Sequence, residues 1–157
     1  MNDEALEQAI NALQINSVSL FATQCSIADQ FFPAYDPLAE NIQIQSKHLI
    51  SRTEQIDFED DEGRTVKVIR FHAEFGTRMM LPSSGELEQK ALIEATFVAE
   101  YKVADVELSE EAIKEFALRN VMFNVWPYWQ EYLTSTCSRM ELPKSELLAP
   151  KGASFQH

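Results

Sequence analysis

Histidine and cysteine are the side chains most able to hold a metal or start covalent chemistry, and this chain carries them sparsely. His48 and His72 lie far apart, and neither makes with Cys25 or Cys137 the close spacing by which ligands share a zinc ion. The two cysteines form no C-x-x-C pair and no disulfide framework. The acidic run Glu54, Asp57, Glu59, Asp60, Asp61, Glu62 has the density of a calcium loop, but Gly63 falls one position late and the distal Glu is missing. It reads as a solvated hairpin tip. Gly63, Gly76, Gly85 and Gly152 are too scattered to cradle a phosphate, and no serine-nucleophile motif occurs. The chemistry expected is binding: no enzyme, no catalytic residue, no metal and no cofactor.

Charge narrows what can be bound. The 157 residues hold 13 Lys and Arg against 25 Asp and Glu, a formal net charge of −12. Nucleic-acid binding needs basic side chains that displace counterions, and no basic stripe is present, so nucleic acid and anionic membranes are poor partners. At 45% hydrophobic residues the chain should be globular, and its length suits one domain over residues 1–157. The acidic start MNDEALEQAI is no signal peptide, and no apolar stretch is long enough to insert in a membrane. With so few cysteines, a soluble cytoplasmic protein is expected.

The elements follow from periodicity. Leu6, Ile10 and Leu13 have the spacing of one apolar helix stripe and predict a short helix over 3–13. Residues 13–25 alternate but change phase once, as a strand does when it holds a bulge or is partly covered on both faces. The aromatic, proline-containing stretch Gln30 to Pro37 reads as a loop. Three long strands come next, with apolar residues on even positions from Ile42 to Phe58, on odd positions from Val66 to Leu81, and on odd positions from Leu87 to Val103. The sheet thus fills 13–105. Ser109 is suited to cap a helix over 109–140, with Glu110 and Glu111 in its first turn. Pro127 should kink or break that helix, because it cannot donate to the Phe123 carbonyl. An extended tail over 141–157 ends the chain.

Two features argue for assembly. A strand from Leu87 to Val103 spans roughly 55 Å and a helix from Ser109 to Met140 roughly 48 Å, whereas a compact domain of this length is about 40 Å across. The segment Val121 to Leu133 is also apolar on nearly all sides and needs cover all round. Self-association through Val121, Val125, Trp126, Tyr128, Trp129 and Tyr132 is the expected answer.

The stretch Phe116 to Pro150 resembles the bacterial export chaperone family SecB. The residues carrying the likeness are Trp126-Pro127-Tyr128, Glu131, Thr134, Ser135, Arg139, Leu142-Pro143 and Leu148-Ala149-Pro150, with the upstream order of strand, aromatic crossover loop, three strands and helix. The resemblance implies an α+β fold, a four-stranded antiparallel Greek-key sheet followed by a long C-terminal helix, assembled as a homotetramer, a dimer of dimers. It implies a molecular chaperone that binds unfolded preproteins in apolar grooves without ATP, for protein export and translocation or for protection. By position, Phe31, Phe32, Tyr35, Ile42 and Ile44 would line such a groove, with Leu142, Leu147 and Leu148 added.

Relatives that hand clients to the translocase motor SecA present acidic residues on the first strand, where this sequence has Ala22 and Ser26, which counts against SecA as a partner. The missing second helix and the extra N-terminal one look like relatives that guard an antitoxin of a toxin-antitoxin system, which makes a dedicated antitoxin chaperone the alternative. A third possibility, a sheet curled around a helix to enclose a small ligand, needs an acid such as Glu94 beside His72.

Overall fold

The computed structural model describes residues 2–36 and 41–142. Helix α1 (Asp3–Ala12) is followed directly by strand β1 (Leu13–Ile27), then by β2 (Gln43–Glu59), β3 (Thr65–Ser83) and β4 (Glu86–Val103). The chain ends in α2 (Glu110–Phe116), a π-helical turn (Ala117–Val121) and α3 (Met122–Met140). The strands form one antiparallel sheet in the order β1-β4-β3-β2, the Greek-key arrangement expected, and the four strands fall where the alternation put them.

Each boundary has a local cause. Asn2 caps α1 by accepting from the Ala5 N–H at 3.0 Å, and Ser109 caps α2 by accepting from the Ala112 N–H at 3.0 Å. The β2–β3 turn is built by Asp60, whose carboxylate accepts from the Glu62 and Arg64 N–H groups at 2.9 Å each. Gly63 supplies a φ of +78° there. Those backbone donors, Arg64 foremost, hold the Asp60 carboxyl below its ordinary pKa. The acidic run is thus turn chemistry. Ser84 and Gly85, both at positive φ, join β3 to β4 in two residues, as a type I′ hairpin requires.

Register is uneven along β1. The Ala104 N–H reaches the Ala12 carbonyl and the Ala28 N–H reaches the Lys90 carbonyl, both at 2.8 Å, so sixteen steps of chain from Ala12 to Ala28 oppose fourteen from Lys90 to Ala104. Extra residues are accommodated by bulging. The change of facing falls between Phe21, whose ring meets His72, and Thr23 and Cys25, which meet Tyr132, later in the strand than the break in alternation between Ile15 and Val18. The expectation of cover on both faces of β1 is not met: nearly all its residues are exposed, because it is an edge strand.

The chain divides into two compact units. The first comprises Met1–Phe21, Ile50–Ala73 and Phe97–Pro127. Its core is a ring cluster in which Phe71, Tyr101 and Phe116 meet at centroid distances of 4.9 to 5.9 Å. Val121 and Val125 are fully buried in the same unit. The Tyr101 hydroxyl accepts from Asn124 at 2.8 Å, and burial drives its pKa up. Helix α1 packs on α2 in this unit through Leu6, Ala9 and Ala12. Ile10 is exposed instead of buried, because the buried face of α1 runs through those three residues.

The second unit comprises Ala22–Leu49, Glu74–Thr96 and Tyr128–His157. Phe75 stacks on Trp129 at 5.4 Å, with Met79, Leu81, Ile93, Leu133 and Cys137 buried in the same unit.

Pro127 does not break the helix. Helical structure runs on from Glu110 to Met140 with the proline inside α3. The departure from α geometry falls upstream, at the wide turn Ala117–Val121. The C-terminus is closed by Glu141 at a φ of +56° and by the Leu142 N–H on the Cys137 carbonyl at 3.0 Å, a Schellman pattern with Leu142 buried as its apolar contact.

Candidate functional site

The crossover loop in the second unit supplies the most exposed aromatic surface outside the helix. After β1, Gln30 takes a φ of +63° and the Phe31 N–H bonds the Ala28 carbonyl at 3.2 Å. The Tyr35 and Asp36 N–H groups then both bond the Phe32 carbonyl at 2.9 Å, winding one turn. That winding separates three aromatics by role. Phe31 is buried, while Phe32 is 63% and Tyr35 86% exposed. Ile42 and Ile44 are half-buried at the start of β2. Of the residues expected to line a groove, Phe32 and Tyr35 therefore present free surface, Ile42 and Ile44 present some, and Phe31 and Leu142 are buried. Leu147 and Leu148 lie outside the described residues.

Ile44 also borders a cavity of about 680 Å³ with Leu92 and a polar group. Lys47 crosses from β2 to bond Glu74 on β3 at 3.0 Å and Glu94 on β4 at 2.7 Å. Its path lies over Gly76, where any side chain would collide with the lysine stem. The two carboxylates, Glu94 above all, raise the Lys47 pKa. On the same rim the Arg78 Nε donates to the Gln45 amide oxygen at 2.7 Å. Alternation alone assigned these residues to a wet face and did not show that they enclose a cavity.

The groups first considered for chemistry have structural partners. His72 is buried in the first unit, with Nε2 2.6 Å from Glu54 and 3.1 Å from Arg52. Phe21 meets its ring edge-on at 4.8 Å, and Arg52 lies over Phe21 at 5.7 Å. The imidazole bond holds the Glu54 pKa down. Glu94 is committed to Lys47 and His72 to Glu54, so the acid–imidazole pair that an enclosed ligand site would use is not formed. Tyr132 bonds Thr23 and lies 3.1 Å from the Cys25 sulfur, with burial first and then that sulfur raising the phenol pKa.

The helix residues expected at an interface divide sharply. Val121, Val125 and Trp129 recur every four residues on the face turned to the chain's own core and have almost no accessible surface. Burial within one chain leaves them nothing to offer a partner. Trp126 and Tyr132 are half-buried and Tyr128 is 47% exposed. Phe123, at 79%, and Leu118 are the exposed apolar residues that the sequence analysis missed. The four-residue stripe was present in the sequence and separates the two sets.

No family model matches this sequence, and no curated protein matches it. Among solved structures, the chain is similar to the Mycobacterium tuberculosis SecB-like chaperone Rv1957, seen in complex with a ChAD peptide from the Rv1956 HigA1 antitoxin. The two are 18% identical and superpose with a TM-score of 0.59 over 89% of this chain and 91% of that one. The fold is SecB-like.

Proposed function

We propose that this protein is a SecB-like molecular chaperone, not an enzyme, which holds non-native polypeptide in apolar grooves without ATP. One observation carries the proposal: Phe32 and Tyr35 stand exposed on the crossover loop of a SecB-like fold. Aromatic rings left in water are ready to bury the apolar side chains that an unfolded chain exposes, without reading its sequence. The described residues contain no helix long and apolar enough to cross a membrane, and we place the protein in the cytoplasm.

The decisive experiment follows aggregation of a chemically denatured model protein by light scattering as the chaperone is added in the absence of nucleotide. Suppression near stoichiometric ratios is expected. Undiminished aggregation at a several-fold excess refutes the proposal.

A second reading, a chaperone dedicated to one antitoxin, is favoured by the antitoxin peptide held by the Mycobacterium tuberculosis protein. A toxin-antitoxin pair encoded beside the gene, and an antitoxin whose half-life shortens when this protein is removed, are its expected signs. Protein export through SecA is the less favoured route, given Ala22 and Ser26. In either case copies assemble into a homotetramer, with the exposed Leu118 and Phe123 and the half-buried Trp126 of the first unit, and Tyr128 and Tyr132 of the second, each taken separately as candidate contacts. Sedimentation equilibrium at several concentrations tests this, and a monomer throughout overturns it.

A further inference from the structure

The cavity of the second unit can be read by asking which of its polar groups are still unmatched. Lys47 is not among them, since one ammonium serves two carboxylates at 3.0 and 2.7 Å. Glu74 and Glu94 share that one ammonium, which holds both carboxylates in place on the sheet face. The Ser46 and Thr77 hydroxyls bond each other at 3.3 Å.

Arg78 differs. Its only side-chain hydrogen bond among the described residues runs from Nε to the neutral amide oxygen of Gln45 at 2.7 Å, and no described carboxylate comes within 4.0 Å of its guanidinium. Both Nη groups keep their N–H donors for another acceptor. Gln89, also on the cavity wall, is exposed, and its side chain makes no hydrogen bond among the described residues.

The unmatched capacity is thus a set of N–H donors on the Arg78 guanidinium, which meets no described carboxylate within 4.0 Å. A guanidinium anchored through Nε presents its remaining donors as a fork, the geometry that grips a carboxylate by two parallel bonds. Ile44 and Leu92 stand half-buried in the same wall and suit an aliphatic neighbour of that carboxylate. Gly76 keeps the depression open, because Lys47 can lie flat over it instead of standing into the cavity.

We infer that this cavity is a carboxylate subsite for bound polypeptide: Arg78, positioned by Gln45, takes the side-chain carboxylate of an Asp or Glu that sits beside an aliphatic residue. The inference rests on the chaperone reading for the kind of ligand, and it adds a preference which apolar grooves alone would lack. Segments made only of apolar and basic residues gain nothing here, while those that interleave an acid with Leu or Ile do.

The test compares two fluorescein-labelled thirteen-residue peptides of Leu, Phe and Ser, one with a central Glu and its twin with Gln, by anisotropy with the full chain. The Glu peptide is expected to bind about three- to tenfold more tightly, the range for an exposed but bidentate ion pair. In Arg78→Gln the preference should disappear while the Gln peptide binds as before. Arg78→Lys should retain only part of it, and Gln45→Ala should reduce it with the arginine still present. Arg78 is exposed, so its variants should keep the wild-type urea midpoint. Equal binding of the two peptides by the wild type, or a preference that survives Arg78→Gln, overturns the subsite and leaves the chaperone reading standing. Failure of both peptides to bind overturns that reading and the subsite with it.

Discussion

Gly76→Ala probes the cross-strand lysine most directly, because the two effects it combines have opposite signs. Gly76 lies inside β3 without a positive φ, so alanine meets no backbone strain there. The added Cβ would sit 2.8 Å from Cε of Lys47, closer than real carbon contacts allow, and a tight 3.2 Å from its Cγ. Lys47 must swing away and give up both carboxylates. Its side chain is 42% exposed and those of Glu74 and Glu94 are 31% and 26% exposed, so each pair is worth about 0.5 kcal/mol and at most ~1 kcal/mol. The loss is therefore about 1 to 2 kcal/mol. Against it, replacing glycine by alanine restricts the unfolded chain and stabilises by about 0.4 to 1 kcal/mol. The net expectation is destabilisation by ~0.5 kcal/mol. In a Lys47→Ala background the lysine is gone and the Glu94 Cγ at 3.3 Å needs to give by only a few tenths of an ångström, so the same substitution should stabilise by ~0.5 kcal/mol. That reversal implies a coupling of ~1 kcal/mol, above the ~0.5 kcal/mol scatter of independent sites. Urea unfolding of the four proteins, at a common m-value, reads it. An equal shift from Gly76→Ala in both backgrounds would show that Lys47 does not lie where this reasoning puts it.

Three further outcomes are expected. Phe32→Ala combined with Tyr35→Ala should weaken client capture at least tenfold, since burying one such ring is worth about 1.5 to 3 kcal/mol; the urea midpoint should stay put, and an unchanged aggregation assay would remove these residues from the groove. Val121→Ala should cost about 2 kcal/mol, through lost burial plus the cavity left behind, whereas Phe123→Ala should move monomer stability by less than ~0.5 kcal/mol and lower the sedimenting mass. A Phe123→Ala protein of unchanged mass excludes that side chain from the assembly. Asp60 has a folded-state pKa below its unfolded one, so its contribution is complete above the ordinary carboxylate range and fades as pH falls through the lowered value. The gap in urea midpoint between the wild type and Asp60→Ala should accordingly be constant near neutrality and close below about pH 4; a gap that persists at pH 2 contradicts the turn chemistry assigned to this carboxylate.

Much of the fold was legible because strand and helix periods are local properties. Odd-position apolar residues from Ile69 to Leu81 and from Leu87 to Val103 located β3 and β4; in β4 those from Ala91 to Tyr101 are buried, while Leu87 is exposed and Val103 half-buried at the strand ends. Ser109 announced its helix through a hydroxyl that accepts a backbone N–H three residues on. Other features depended on packing. Ile10 lost its place because the buried face of α1, the helix in contact with α2, runs through Leu6, Ala9 and Ala12. Pro127 remained within the helix, although its missing N–H alone argued for a break. The aromatics Phe31, Phe32 and Tyr35 looked equivalent in sequence, and one turn of backbone made one of them a support and two of them surface.

What the sequence by itself determined was the set of elements, their order and which strand positions share a face, since these follow from side-chain spacing along one backbone. Which charge meets which was decided only by the tertiary structure. Lys47 finds Glu74 and Glu94 from two other strands, and among the described residues the Arg78 side chain finds only the amide of Gln45. Polar residues on a wet strand face are nearly interchangeable locally, and strand order and register then place particular ones within reach of each other. A glycine that seems idle in the sequence leaves room for one lysine to cross, and an arginine left without an acid becomes the group that can receive one from outside.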